Sequence, residues 1–345
     1  MQRDRIDFEE VFAPVARMDS VRLLLALAAT RDWNVHHLDV KSAFLNRELT
    51  EVVYVQQPPG FAVAGEEDTA AAEGSVWVYV DDLIITGSEQ QEIGRFKTEM
   101  AAKFKMSDLG LLSYYLGIEV RQRKHAIELC QSAYALKLLE RAGLKGCNPT
   151  QVPMQEKPKL SKNSTEEKVD ATLYRSLIGG LIYLTHTWPD ISFAVGYVSR
   201  FMEEPHKDHM AAVKHLLRYI AGSCELGLAY PRRKKISDSD MGGDLDGRKS
   251  TSGMVFFLET CPISWQSQKQ KIVALSTCEA EYIAGAACQG VWLRLLLEEI
   301  TGQTVAAPIL RIDNYSAIEL AKNPEVDCVK GGKTKELTAT NVQKV

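Results

Sequence analysis

The chain has 345 residues, 45% of them hydrophobic, and its 41 lysines and arginines against 45 aspartates and glutamates give a formal net charge of −4 at pH 7. That length and composition supply ordinary cores for two or three domains, exclude a small stapled fold, and weigh against a protein that grips phosphates with a uniformly basic surface. Seven cysteines without CxxC spacing read as reduced thiols, and neither a signal-peptide core nor an uncharged run near the ~18 residues of a membrane span occurs, so the expectation is a soluble cytoplasmic or nuclear chain.

In chain order, the first candidate element is a short apolar strand over 33–40 that brings Asp39 to its end, followed by a segment of helical character. A lone aspartate there is an ordinary turn or N-cap residue. Downstream, Asp81 and Asp82 lie between the apolar runs 76–80 and 83–86, a pattern that reads as a hairpin with acids at its tip. Aspartate is favoured at any surface turn. Adjacent carboxylates held close together need a positive charge between them, and an oxygen-seeking divalent ion such as Mg²⁺ supplies it in phosphoryl-transfer enzymes.

The motifs LDVKSAFLN (38–46) and YVDDLIITG (79–87), with the flanks IDFEEVFAPVARMDSVRLLLALAA (6–29) and EVVYVQQPPGF (51–61), resemble the reverse transcriptase of copia-type retrotransposons. The resemblance implies a polymerase palm in which Asp39 and Asp81 are catalytic metal ligands, Asp82 is their neighbouring carboxylate, and Phe44 excludes the 2′-hydroxyl of an incoming nucleotide. Between 40 and 80 the family also carries a helix with a Tyr-Gly-Leu-Lys-Gln segment that lines the nucleotide site. Here the acidic, alanine-rich stretch AVAGEEDTAAAEGS (62–75) stands in its place, and the family's basic finger strand is not found before residue 6. Without those cations the phosphates of an incoming nucleotide lack compensation, so polymerisation is expected to be lost.

The middle of the chain reads as mainly helical, with one strand-like piece, YLGIEV, at 115–120. Apolar residues Ala133, Leu136, Leu139 and Ala142 mark an amphipathic helix, a polar linker covers 156–167, and two or three helices follow, broken at Trp188-Pro189 and Glu204-Pro205. His186, His206, His209 and His215 show no metal-binding pairing and read as packing or surface residues. Two basic runs, one at Arg121, Arg123 and Lys124 and the other from Arg232 to Lys235, read as solvated loops or phosphate contacts.

Acids followed by a strand, then strand and helix, then strand, Asp313 and helix fill 236–324. Acids from three such places can converge on one metal pair. SDSDMGGDLDGRKSTSG (237–253), ALSTCEAEYIAGA (274–286) and IDNYSAIELAKNP (312–324) resemble the RNase H domain of the same elements. By that resemblance Asp238, Glu281 and Asp313 are catalytic metal ligands, with Asp240 and Glu279 ranked second.

The expected architecture is α+β: a palm-like antiparallel sheet remnant over 1–125, a helical thumb- or connection-like region over 126–230, an RNase H-like α/β domain with a mixed sheet over 231–324, and a divergent, mobile tail over 325–345. The implied cofactor is Mg²⁺, with Mn²⁺ as a substitute. The implied partners are primer-template and RNA/DNA hybrid nucleic acid and deoxynucleotides, with no membrane. A non-catalytic nucleic-acid-binding remnant and a stand-alone RNase H-like nuclease are the alternative readings.

Overall fold

A computed structural model of the chain describes residues 17–41, 74–79, 81–155, 160–232, 251–270, 289–312 and 335–338. These are helices and antiparallel sheets, an α+β arrangement, and every strand pairing among the described residues is antiparallel. They fall into two units divided between Leu112 and Ser113. Among the described residues no helix is long and apolar enough to cross a membrane.

The first unit opens with helix α1 (Met18–Arg31), whose residues from Ser20 to Ala29 are buried, and which stops where Asp32 takes a left-handed conformation. Strand β1 (Val35–Val40) follows, then the hairpin of β2 (Gly74–Tyr79) and β3 (Asp82–Gly87), helix α2 (Gln90–Lys103) and strand β4 (Met106–Leu111). The sheet order is β2-β3-β1-β4. Strand residues alternate between faces, so Leu38, Val40, Leu83 and Ile85 turn to one side and pack with Ile93 of α2, flanked by Phe96, Met100, Phe104 and Met106.

The second unit begins with a four-stranded sheet made of β5 (Tyr114–Tyr115), β6 (Ile118–Gln122), β7 (Ala126–Cys130) and, much later in the chain, β8 (Leu228–Pro231). β5 and β6 fall on the strand-like piece at 115–120, while β7 lies where the sequence reads as helical. The cause is alternation: Ile118 and Val120 on β6 and Ile127 and Leu129 on β7 are buried, while Glu119, Arg121 and Glu128 face outward.

Helices α3 (Ser132–Arg141), α4 (Ala171–Leu184), α5 (Ser192–Val198) and α6 (Lys207–Ser223) enclose the largest described core, in which Tyr174, Leu177, Leu181, Val198, Leu216 and Leu217 are fully buried. The breaks fall at the two proline sites, and Pro189 opens a short 3₁₀ turn before α5. Within the core Tyr174 donates its hydroxyl to the Val198 carbonyl at 2.8 Å. The α3 stripe needs correcting: Ala135, Leu138 and Leu139 are the buried residues, whereas Leu136 is 56% exposed. A strict three-residue spacing drifts around a helix of 3.6 residues per turn, and the core selects the i, i+3, i+4 set instead.

His206 and His209 are buried and hydrogen-bonded, the His206 N–H donating to His209 Nδ1 at 3.1 Å. The His209 ring stacks on Phe201 with centroids 4.0 Å apart. His215 Nε2 lies 3.1 Å from the Val152 carbonyl.

Hairpin β9 (Thr251–Leu258) and β10 (Cys261–Lys269) packs on α5 and is tied to the rest of this unit by part-buried polar links. Tyr230 donates to the Pro262 carbonyl at 2.9 Å, and Trp265 Nε1 donates to the Thr185 carbonyl at 2.9 Å. Helix α7 (Gly290–Thr301) and the paired strands β11 (Ile309–Ile312) and β12 (Lys335–Thr338) complete the described elements. Within the tail, 335–338 pairs with β11.

Glu119 joins sheet and helices. Its Oε1 accepts from the Ala133 N–H at 3.0 Å, where a helix start leaves amides without intrahelical partners, and its Oε2 accepts from Arg121 at 3.1 Å. The amide first, and Arg121 as well, hold the Glu119 carboxyl below the usual carboxylate range despite partial burial. A depressed folded-state value stabilises the fold above the unfolded value and loses that contribution as pH falls below it. Glu119→Gln is therefore expected to cost about 1 kcal/mol at pH 7, as cap losses do. In urea titrations the difference from the unaltered chain should vanish well below pH 4.5, the ordinary glutamate value.

Candidate metal-binding carboxylates at the β1–β3 sheet end

The site is set by register. β1 and β3 pair with Val35 opposite Thr86, His37 opposite Ile84 and Asp39 opposite Asp82, while β2 and β3 pair with Tyr79 opposite Asp82. The apolar runs on either side of the acids make these strands, and each run covers the other, so the acids are carried to one end of the sheet. Directly opposed residues share a face with Cβ atoms about 5 Å apart. Asp39 and Asp82 are thus direct cross-strand neighbours on one face of the sheet, both half-buried.

Asp81 occupies the turn between β2 and β3. Its carbonyl accepts the Val40 N–H at 2.7 Å, which fastens the turn to the end of β1. The expected juxtaposition of the Asp39 strand and the Asp81-Asp82 hairpin is therefore present in one antiparallel sheet.

The face carrying Asp39 and Asp82 also carries His37, two residues back along β1. His37 Nε2 lies 2.6 Å from Asp82 Oδ1, with the His37 side chain only 12% exposed. This contact is absent from the motif-based reading, yet the two-residue strand period that puts 37 and 39 on one face was available in the sequence.

The opposite face holds a separate polar cluster. Lys97 of α2 donates to both Asp108 oxygens, at 3.0 and 3.1 Å, and lies 3.2 Å from His36 Nδ1. Burial first, then Lys97, pushes the His36 ring below its ordinary value. Burial pulls the Asp108 carboxyl upward, but the Gly110 N–H and Lys97 outweigh it and hold the group low.

Among the described residues no three His, Cys, Asp or Glu side chains form a group able to hold a metal alone. Mg²⁺, however, usually takes one or two protein carboxylates and completes its shell with water and substrate phosphates. The all-oxygen donor pair Asp39 and Asp82 fits that chemistry. Phe44, Asp238, Asp240, Glu279, Glu281 and Asp313 lie outside the described residues. β11 ends at Ile312, the residue before Asp313, and β9 and β10 follow the first acidic motif as the sequence implies.

The chain matches the reverse transcriptase (RNA-dependent DNA polymerase) family in two segments, 1–75 and 71–156. It is 37% identical, over 93% of its length, to the retrovirus-related Pol polyprotein from transposon TNT 1-94 of Nicotiana tabacum, and 34% identical, over 94% of its length, to that from transposon RE1 of Arabidopsis thaliana. The chain belongs to the copia-type transposon Pol family. It spans 29% and 26% of those two Pol polyproteins. A third relative, an uncharacterized mitochondrial protein of Arabidopsis thaliana, is 36% identical over 60% of this chain and 88% of its own length.

The alignment to the tobacco Pol polyprotein runs over 383 residues, whereas 93% of this 345-residue chain is only about 320. About 60 aligned Pol positions therefore have no counterpart here. The two reverse transcriptase segments meet at 71–75, inside the alanine-rich stretch.

Proposed function

We propose that this chain is a Pol-derived protein whose polymerase half keeps its metal-binding carboxylates but no longer polymerises, and whose RNase H half cleaves the RNA strand of an RNA/DNA hybrid. The observation that carries the first clause is the Asp39–Asp82 register in neighbouring strands of a reverse transcriptase-family chain. In this reading residues 1–125 are a palm remnant in which Asp39, Asp81 and Asp82 are the metal-binding carboxylates, 126–230 correspond to thumb and connection, and Phe44 guards the sugar position.

The loss of polymerisation is supported by the missing Pol positions and by the junction at 71–75. A nucleotide set against Asp39 and Asp82 would lack the wall that orients its base. Bound Mg²⁺ would still stabilise charge on phosphate oxygens. Positioning, which contributes a large share of phosphoryl-transfer catalysis, is what the deletion removes.

The RNase H assignment rests on the three motifs, with Asp238, Glu281 and Asp313 as ligands, within 231–324. Mg²⁺ or Mn²⁺ held there would activate water for attack on the RNA phosphodiester. The experiment uses the full chain on a labelled primer-template with four deoxynucleotides, and separately on a labelled RNA/DNA hybrid. Hybrid cleavage that disappears in Glu281→Gln, together with no primer extension, is the expected outcome. Extension abolished by Asp81→Asn would overturn the first half of the proposal. Cleavage that survives Glu281→Gln would transfer the role to Glu279, and no cleavage with either metal would favour a non-catalytic nucleic-acid-binding protein.

A further inference from the structure

The two basic runs of the sequence lie far apart in the chain, yet the fold joins them. β7 and β8 pair with Ala126 opposite Pro231, so the turn between β6 and β7 and the end of β8 share one end of the four-stranded sheet. The Arg232 N–H donates to the His125 carbonyl at 2.9 Å, and Arg232 Nε donates to the Arg123 carbonyl at 3.2 Å. These bonds fix the Arg232 guanidinium against the turn that carries Arg123, Lys124 and His125, all three exposed.

The acids described at this sheet end lie along the strands, and the basic residues reach its tip. Arg121 is matched to Glu119 at 3.1 Å and Arg123 to Glu128 at 2.8 Å, both pairs on the solvent side of the sheet. Glu225 also bears on Arg121. Glu119 and Glu128 thus sit along the strands, while Arg123, Lys124 and Arg232 meet at the tip. The sequence next to Arg232 is basic as well, Arg233, Lys234 and Lys235. Exposed ion pairs hold their partners weakly, so Arg123 can exchange Glu128 for a phosphate oxygen at little cost.

We infer that Arg123, Lys124 and Arg232 form a docking surface for the phosphate backbone of a nucleic acid, which neither run forms alone. The inference rests on the nucleic-acid reading proposed above and adds to it a place on the sheet of β5 to β8, apart from the carboxylates. Backbone cations of this kind act without regard to base sequence, and each phosphate neutralised releases counterions, so their signature is salt dependence.

The test measures binding of a fluorescein-labelled RNA/DNA hybrid by anisotropy, with the full chain, in Ca²⁺ so that the hybrid stays intact, across 50 to 200 mM salt. Arg123→Gln/Lys124→Gln is expected to weaken binding about tenfold at the lower salt and to reduce the slope of log K against log salt by about 2, about one per lost phosphate contact. Both side chains are exposed, and the Arg123 carbonyl that receives Arg232 remains. Lys124→Glu, a single exposed change, should weaken binding without altering the thermal melt, and Lys145→Gln, on a surface elsewhere in the same unit, should leave Kd and slope unchanged. Unchanged Kd and slope in both patch variants would overturn the docking surface while leaving the nucleic-acid reading in place. Failure of the unaltered chain to bind the hybrid at 50 mM salt would overturn both.

Discussion

Gly117→Ala is expected to destabilise the second unit by about 2–4 kcal/mol, a large part of the margin that keeps an ordinary domain folded. Leu116 and Gly117 form the turn between β5 and β6, with φ values of 46° and 80° and Tyr115 paired to Ile118 across it. Two residues of positive φ in a two-residue hairpin match the right-handed twist of the strands. The Tyr183 hydroxyl of α4 donates to the Leu116 carbonyl. At Gly117 a β-carbon would meet backbone strain of about 1–2 kcal/mol and would also collide with the Tyr183 hydroxyl.

Tyr183 cannot simply step aside, since its ring packs edge-on against Tyr134 with centroids 4.8 Å apart. Urea unfolding followed by tryptophan fluorescence measures the loss. Gly94→Ala serves as the contrast, because Gly94 lies inside α2 with nothing within 4 Å of an added β-carbon. It should be neutral or stabilising by up to about 1 kcal/mol, since alanine favours a helix over glycine.

The same turn illustrates what a sequence reveals and what it conceals. The hairpin of β2 and β3 was legible because two apolar runs flank the adjacent acids Asp81 and Asp82, and the strand carrying Asp39 because it is a short apolar run. The strand-like YLGIEV at 115–120 anticipated β5 and β6, where the in-out order Ile118, Glu119, Val120, Arg121 carried the signal, whereas β7 was obscured by the helix-like stretch around it. The pairing of β8 with β7 was out of reach, since no local pattern states that Leu228–Pro231 returns to a strand about a hundred residues earlier. That pairing is what unites the two basic runs.

Strand β12 was hidden for a related reason. Lys335–Thr338 has little apolar character of its own and is a strand only through its backbone bonds to β11. In the candidate site, motif resemblance supplied Asp39, Asp81 and Asp82, and the strand register supplied their juxtaposition. His37 was overlooked because motif matching attends to the acids, not to what faces them. For Asp238, Glu281 and Asp313 the sequence remains the source of the assignment.

Asp39 and Asp82 are expected to act as one metal site, with an effect large enough to isolate. Two carboxylates on opposed residues hold an ion that neither holds well alone, so removing either charge forfeits most of the affinity. Mn²⁺ suits oxygen sites and has an electron paramagnetic resonance signal that is lost on binding. The titration uses a background of Asp238→Asn, Glu281→Gln and Asp313→Asn, which removes the three carboxylates of the RNase H reading. Asp108→Asn is the control, since Asp108 is engaged with Lys97 on the opposite face of the sheet.

The most direct measurement is a double-mutant cycle of Mn²⁺ affinity over Asp39→Asn and Asp82→Asn. A shared ion requires that each substitution weaken binding at least about tenfold and that the pair together cost little more than either one, the non-additivity of groups that act on one ligand. Unchanged Mn²⁺ affinity in both single variants, or losses that simply add, would show that Asp39 and Asp82 do not hold a common metal and would remove the basis for reading this sheet end as a polymerase-type site.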